Sequence, residues 1–237
     1  KAADLLEAKG PQFVASMGAE IGATAGWAMF NVTLAADMLR EAASLVTQIK
    51  GEVVPSNRPG SLAMAMRQPV GVILAIAPWN APVILGVRAL ATPLACGNTV
   101  VMKTSEMCPR THRLIVETLL EAGLPKGALN AVSNAPADAG EIVEALIAHP
   151  AVRRINFTGS TRVGRIIAEK AGTISSWTRL LSMAVNRSSS TKSFTYSTPA
   201  RRATGVDAVC TPLSILTFLF RKNASLSSVN TTLSPAL

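Results

Sequence analysis

Metal ligands are scarce in this sequence of 237 residues, which has two histidines and three cysteines, none at metal-ligand spacing. A metal centre is therefore not expected. The odd count of Cys96, Cys108 and Cys210 also argues against a disulfide framework and for a reducing compartment. Aromatic residues make up only 4% of the chain and barely interleave with Arg201-Arg202 and Arg221-Lys222, which removes the stacking partners a nucleic-acid groove uses. No basic segment followed by an apolar run and a small-residue cleavage site opens the sequence, so the expected location is cytoplasmic. An uninterrupted apolar span is missing too. The run from Gln68 to Val87 carries no charge, but Pro78, Asn80 and Pro82 break its middle, and lipid offers no partner for the hydrogen bonds prolines remove. Neither nucleic acid nor membrane is expected as a partner.

Acidic residues are the last shortage, and it is local. Up to Gly172 the chain has 16 lysines and arginines against 13 acids; from Thr173 onward it has 7 against Asp207 alone, together with 23 serines and threonines. The net charge of +9 thus belongs mostly to the end of the chain. This composition break predicts two parts: residues 1–172, globular, and residues 173–237, a tail that is disordered or read out of frame after a shift near codon 173. A genuine basic tail that binds nucleic acid or anionic lipid is the rival reading.

With 49% hydrophobic residues, the chain has material for a core. Lys1 to Gln48 shows helical spacing broken at Gly10-Pro11 and around Gly22, predicting two or three helices. Glu52-Val53-Val54 and Leu62 to Arg67 flank a turn cluster, predicting an antiparallel hairpin. A regular alternation follows: strands over Val70–Ala77, Thr99–Lys103, Ala128–Val132 and Arg154–Phe157, and helices over Pro82–Ala95, Pro109–Ala122, Ala137–Ala148 and Ser160–Ala171. The predicted fold class is α/β, an open parallel sheet with flanking helices, preceded by N-terminal helices and a hairpin.

In such sheets ligands bind beyond the carboxyl ends of the strands. Pro78-Trp79-Asn80 follows the first of these strands, Lys103-Thr104-Ser105-Glu106 the second and Thr158-Gly159-Ser160 the fourth. Gly159 would let backbone approach an anion, and Ser160 would cap a helix whose N–H groups face it; an ordinary turn with a serine cap is the alternative. Lys103 and Glu106 read as holders of a ribose, with the carboxylate repelling a 2′-phosphate, or as solvated loop charges. Asn80 and Trp79 read alternatively as a helix cap and a core residue. No Gly-x-Gly-x-x-Gly occurs. His112 and His149 read as surface helix residues, Cys96 as a packed residue at a helix end, and Cys108 as lying beside a helix start without a reactive role.

Pro69-Val70-Gly71-Val72-Ile73, Pro78-Trp79-Asn80, Lys103-Thr104-Ser105-Glu106, Gly123-Leu124-Pro125 and Phe157-Thr158-Gly159-Ser160, in this order and spacing, resemble the NAD(P)-dependent aldehyde dehydrogenase superfamily over roughly Lys1 to Gly172. The likeness is greatest to bacterial salicylaldehyde dehydrogenases, with the vanillin type next. The resemblance implies NAD as cofactor, a small aromatic aldehyde as substrate and a homo-oligomer built with the hairpin. It implies that Asn80 directs its amide at the aldehyde oxygen when a cysteine thiolate attacks. It further implies that Ile76, Ala77, Pro78 and Trp79 line the cofactor, that Lys103, Ser105 and Glu106 bind at the adenosine ribose, that Gly159 and Ser160 contact the pyrophosphate, and that Val163 borders the adenine. The family chemistry runs through a thiohemiacetal, hydride transfer and hydrolysis of a thioester by glutamate-activated water. Relatives carry a Glu-Leu-Gly-Gly segment and a Gly-Gln-x-Cys segment for it. Neither occurs in this sequence, and Cys210 lacks the family context, so a non-catalytic nucleotide-binding fragment is the alternative function.

Overall fold

The structure is a computed structural model that describes residues 1–173 and the strand segments at 180–185, 195–196 and 220–221. Three helices open the chain: α1 (Ala2–Ala8), α2 (Gly10–Ile21) and α3 (Ala25–Leu45). Gly22 ends α2 with φ of 66°, a left-handed conformation that glycine enters without steric cost. Strands β1 (Glu52–Val54) and β2 (Ala63–Ala65) form the expected antiparallel hairpin, with Val53 opposite Met64. A two-residue strand, β3 (Gln68–Pro69), pairs with a strand at Phe220–Arg221.

The main sheet contains β4 (Val72–Ile76), β5 (Thr99–Lys103), β6 (Leu129–Val132), β7 (Val152–Gly159), β8 (Leu180–Val185) and β9 (Thr195–Tyr196). Their order is β6-β5-β4-β7-β8-β9, parallel except for β9. Between them run α4 (Pro82–Ala95), α5 (Pro109–Glu121), α6 (Ala139–Ala148) and α7 (Thr161–Thr173). The alternation expected from the sequence is thus observed. A short 3-10 turn at Pro136–Asp138 replaces the first residues of the helix expected from Ala137.

Strand β4 sits in the middle because it is apolar on both faces. Ile73, Ala75 and Ala77 pack into a core with α1 to α5, while Leu74 and Ile76 pack with Ile147, Phe157 and Ile167 on the other side. Each of its large aliphatic side chains contributes roughly 1.5–3 kcal/mol by leaving water. Close packing sets the distance between α4 and α5: a Cβ at Gly86 would stand 2.7 Å from Ile115 Cδ1.

One expectation needs correction. The fourth strand was expected over Arg154–Phe157, with Thr158-Gly159 as a turn, but β7 runs from Val152 through Gly159. It is an interior strand paired with β4 and β8, and the β8 ladder continues to Gly159 opposite Val185, so the backbone stays extended where its residue types favour a turn. The composition break at Gly172 lies within α7. Cys210 and most of the tail reading fall outside the described residues. Among the described residues no helix is long and apolar enough to cross a membrane.

Candidate functional site

Register brings the three strand-end segments to one edge. Ile76, the last residue of β4, is paired with Lys103 at the end of β5 and with Phe157 in β7. The segments Pro78-Trp79-Asn80, Lys103 to Glu106 and Gly159-Ser160 therefore lie side by side at the end of the sheet. Ile76 and Ala77 have buried side chains, so they offer that edge only backbone.

At the β4 end, Trp79 is 49% exposed and Asn80 is exposed. The core reading of Trp79 is thereby excluded. Nor does Asn80 cap the next helix: the cap residue of α4 is Ala81, without a side-chain cap bond. That task falls to Asn31, which is fully buried on α3 and accepts from the Ile84 N–H at 3.4 Å through Oδ1. The Asn80 amide is left toward solvent with no capping role.

At the β5 end, Lys103 and Glu106 are not solvated loop charges. The Lys103 side chain is 7% exposed and pairs with Glu106, which is 20% exposed. Asn134, after β6, also donates to Glu106 Oε1, at 3.1 Å. Both side-chain donors thus fall on Oε1. Burial pushes the Glu106 carboxyl up, but hydrogen bonds from Lys103, its own backbone N–H and Asn134, with the Lys103 charge, more than offset this and hold it below the ordinary value. Thr104 donates to Ser133 at 3.0 Å, and the Ser105 hydroxyl accepts from the Met107 N–H at 3.3 Å.

Two further residues secure this turn. Glu20 on α2 accepts from the N–H groups of Arg110 at 2.7 Å and Thr111 at 2.9 Å, so a carboxylate from another helix caps α5. His112 was expected on the surface; it is fully buried, and Nδ1 accepts from the Ser105 N–H at 3.0 Å. It faces inward because it lies on the same side of α5 as Ile115, Val116 and Leu119, a helical spacing that was legible in the sequence. Burial pulls its imidazole down to about 4.

At the β7 end, Ser160 does cap α7, its hydroxyl accepting from the Val163 N–H at 3.3 Å. The Thr161 and Arg162 N–H groups remain as first-turn donors without an intrahelical partner. Val163 is 38% exposed. Gly159 has a second reason to be glycine: a Cβ there would stand 2.5 Å from the Phe157 ring. The thiols of Cys96 and Cys108 are buried, which pushes them up to about 11 and about 12. No group of three or more histidines, cysteines or acids among the described residues is placed to hold a metal ion.

Missed from sequence were Asn31, Glu20 and Asn134. Each acts through a contact spanning 28 to 91 residues that no local pattern records.

A family model described as the aldehyde dehydrogenase family matches residues 1–183. A vanillin dehydrogenase from Pseudomonas fluorescens is 64% identical over 169 residues, covering 71% of this chain and 35% of its own length. The crystal structure of a salicylaldehyde dehydrogenase from Pseudomonas putida G7, complexed with salicylaldehyde, superposes with a TM-score of 0.74 at 52% identity over 78% of this chain and 38% of that one. An NAD-dependent benzaldehyde dehydrogenase from Corynebacterium glutamicum gives a TM-score of 0.73 at 34% identity, over 78% and 39%. The chain therefore spans about a third of the length of the curated relatives it matches. Both aromatic subfamilies expected from the sequence are among these relatives, the vanillin type at the higher identity.

Proposed function

The chain belongs to the aldehyde dehydrogenase family, and from that premise we propose that residues 1–172 are the nucleotide-binding part, with the oxyanion amide, of an NAD-dependent enzyme that oxidises a small aromatic aldehyde to its carboxylic acid. The observation that carries the reading is the register that sets the ends of β4, β5 and β7 beside one another.

The residues fit a dinucleotide. Glu106 has its side-chain donors on Oε1, which leaves Oε2 to accept a ribose hydroxyl, and Lys103 supplies a donor beside it. A carboxylate in that place repels a 2′-phosphate, which favours NAD over NADP. The Thr161 and Arg162 N–H groups at the start of α7 are the donors a pyrophosphate would use. NAD held there would supply the acceptor for the hydride that the substrate carbon gives up. Asn80, relieved of capping by Asn31, donates its amide N–H to the aldehyde oxygen as negative charge gathers there, a contribution of roughly 3–4 kcal/mol.

Neither Cys96 nor Cys108 serves as the nucleophile, since burial keeps both thiols protonated. With no Glu-Leu-Gly-Gly or Gly-Gln-x-Cys segment in them, residues 173–237 are read as out of frame; a non-catalytic nucleotide-binding fragment is the alternative function. The exposed hairpin row Val53, Leu62, Met64 and Met66 supports a second copy as partner.

Calorimetric titration of the full chain with NAD and NADP tests the cofactor reading. Saturable NAD binding, weaker NADP binding and a loss of about tenfold in NAD affinity for Glu106→Gln are expected. Unchanged affinity in Glu106→Gln would sink the assignment of the site.

A further inference from the structure

His112 is tied to the turn that follows β5. Its Nδ1 accepts from the Ser105 N–H, so in the neutral ring the proton sits on Nε2. Burial keeps the ring neutral. Nε2 lies 3.8 Å from Cys108 Sγ. Ser105 directly precedes Glu106. The ring sits deep between the helices, with His112 Cδ2 only 3.5 Å from where a Cβ on Gly86 would be. A phenylalanine would fill this space but would not accept from Ser105.

We infer that His112 is a positioning residue: it fixes the Ser105–Glu106 turn through the Ser105 N–H and so holds the carboxylate in place for the adenosine ribose. The inference rests on the ribose reading of Glu106. No reacting atom is touched by His112; it acts through that turn.

The test compares the full chain with His112→Phe and His112→Asn. Asn Oδ1 comes near the place of Nδ1 and accepts from Ser105, while the lost ring atoms leave a void that lowers stability. Two readouts are taken: hydrogen exchange at the Ser105 N–H and NAD affinity by calorimetry. In His112→Phe, Ser105 exchange is expected to rise about tenfold and NAD affinity to drop about tenfold. In His112→Asn, Ser105 protection and NAD affinity return to within about threefold of the parent although the melting temperature is lower. If affinity merely follows melting temperature, so that His112→Asn binds no better than His112→Phe, the positioning role is overturned. Unchanged Ser105 exchange in His112→Phe overturns it as well. If the parent itself does not bind NAD, the ribose reading falls and takes the functional half of the inference with it, while the exchange data still decide whether His112 holds the Ser105 turn.

Discussion

Asn31 Oδ1 accepts a hydrogen bond from the Ile84 N–H, and in doing so α3 caps a helix that begins beside Asn80. The division of labour between these two asparagines is measurable. Asn31→Ala removes a buried acceptor and leaves the Ile84 N–H unpaired, which is expected to cost about 1–3 kcal/mol in urea unfolding. Asn80→Ala, on an exposed residue without a capping bond, is expected to stay within about 0.5 kcal/mol. Equal losses for the two would show that Asn80 is structural after all.

The corresponding device on α5 is ionic. Glu20→Ala takes away the acceptor of the Arg110 and Thr111 N–H groups and of the Thr111 and Ser16 hydroxyls. A loss of about 2–3 kcal/mol is expected, with Glu20→Gln retaining part of it because its side-chain oxygen still accepts. Chemical denaturation of the two variants provides the comparison.

Acid should reveal the burial of His112. Its pKa lies near 6.5 when unfolded and is pulled down to about 4 in the fold, with Glu20, Lys103 and Cys108 as the titratable neighbours. Between those values the unfolded chain binds the extra proton. The stability due to the neutral ring is therefore complete above pH 6.5 and falls as pH drops towards 4, by on the order of 3 kcal/mol. Melting temperature followed from pH 7 to pH 4 should decline less steeply in His112→Phe than in the parent; parallel curves would contradict the assignment. Glu106, whose carboxyl is held low, adds its own loss only at the acid end of that range.

Thiol chemistry offers a check on the site from another side. Cys96 and Cys108, pushed up to about 11 and about 12, should resist alkylation by iodoacetamide at pH 8 in the folded protein and react fully in urea. Peptide mapping by mass spectrometry separates them from Cys210. Rapid native alkylation of Cys108 would reopen it as a nucleophile.

The frame proposal is decided by sequencing the coding DNA from the Phe157 codon onward. A one-base correction near codon 173 is expected to restore Glu-Leu-Gly-Gly and a later Gly-Gln-x-Cys. An unchanged reading would overturn the frame proposal.

Much of the fold was legible because its signals are local. The alternation of apolar runs with Gly and Pro stops gives α4 and β5 their observed bounds, and Ser160 declares itself as a cap by standing before an amphipathic run. The strand-end segments were legible as well, since each interrupts an apolar run with groups a core would not need. What stayed hidden depends on pairing across the chain. The length of β7 follows from having neighbours on both sides, and the burial of the Lys103–Glu106 pair depends on Asn134 arriving from the next strand. For His112 the helical spacing was available, but a histidine flanked by Arg110 and Arg113 reads as polar surface until its bond from Ser105 is seen.

The remote caps also give the chain a temporal order. Ile84 lies 53 residues after Asn31, and Thr111 lies 91 residues after Glu20, so during synthesis each acceptor leaves the ribosome well before the donors it will meet. The first three helices are a template that waits, and α4 and α5 acquire finished N-termini only by docking onto it.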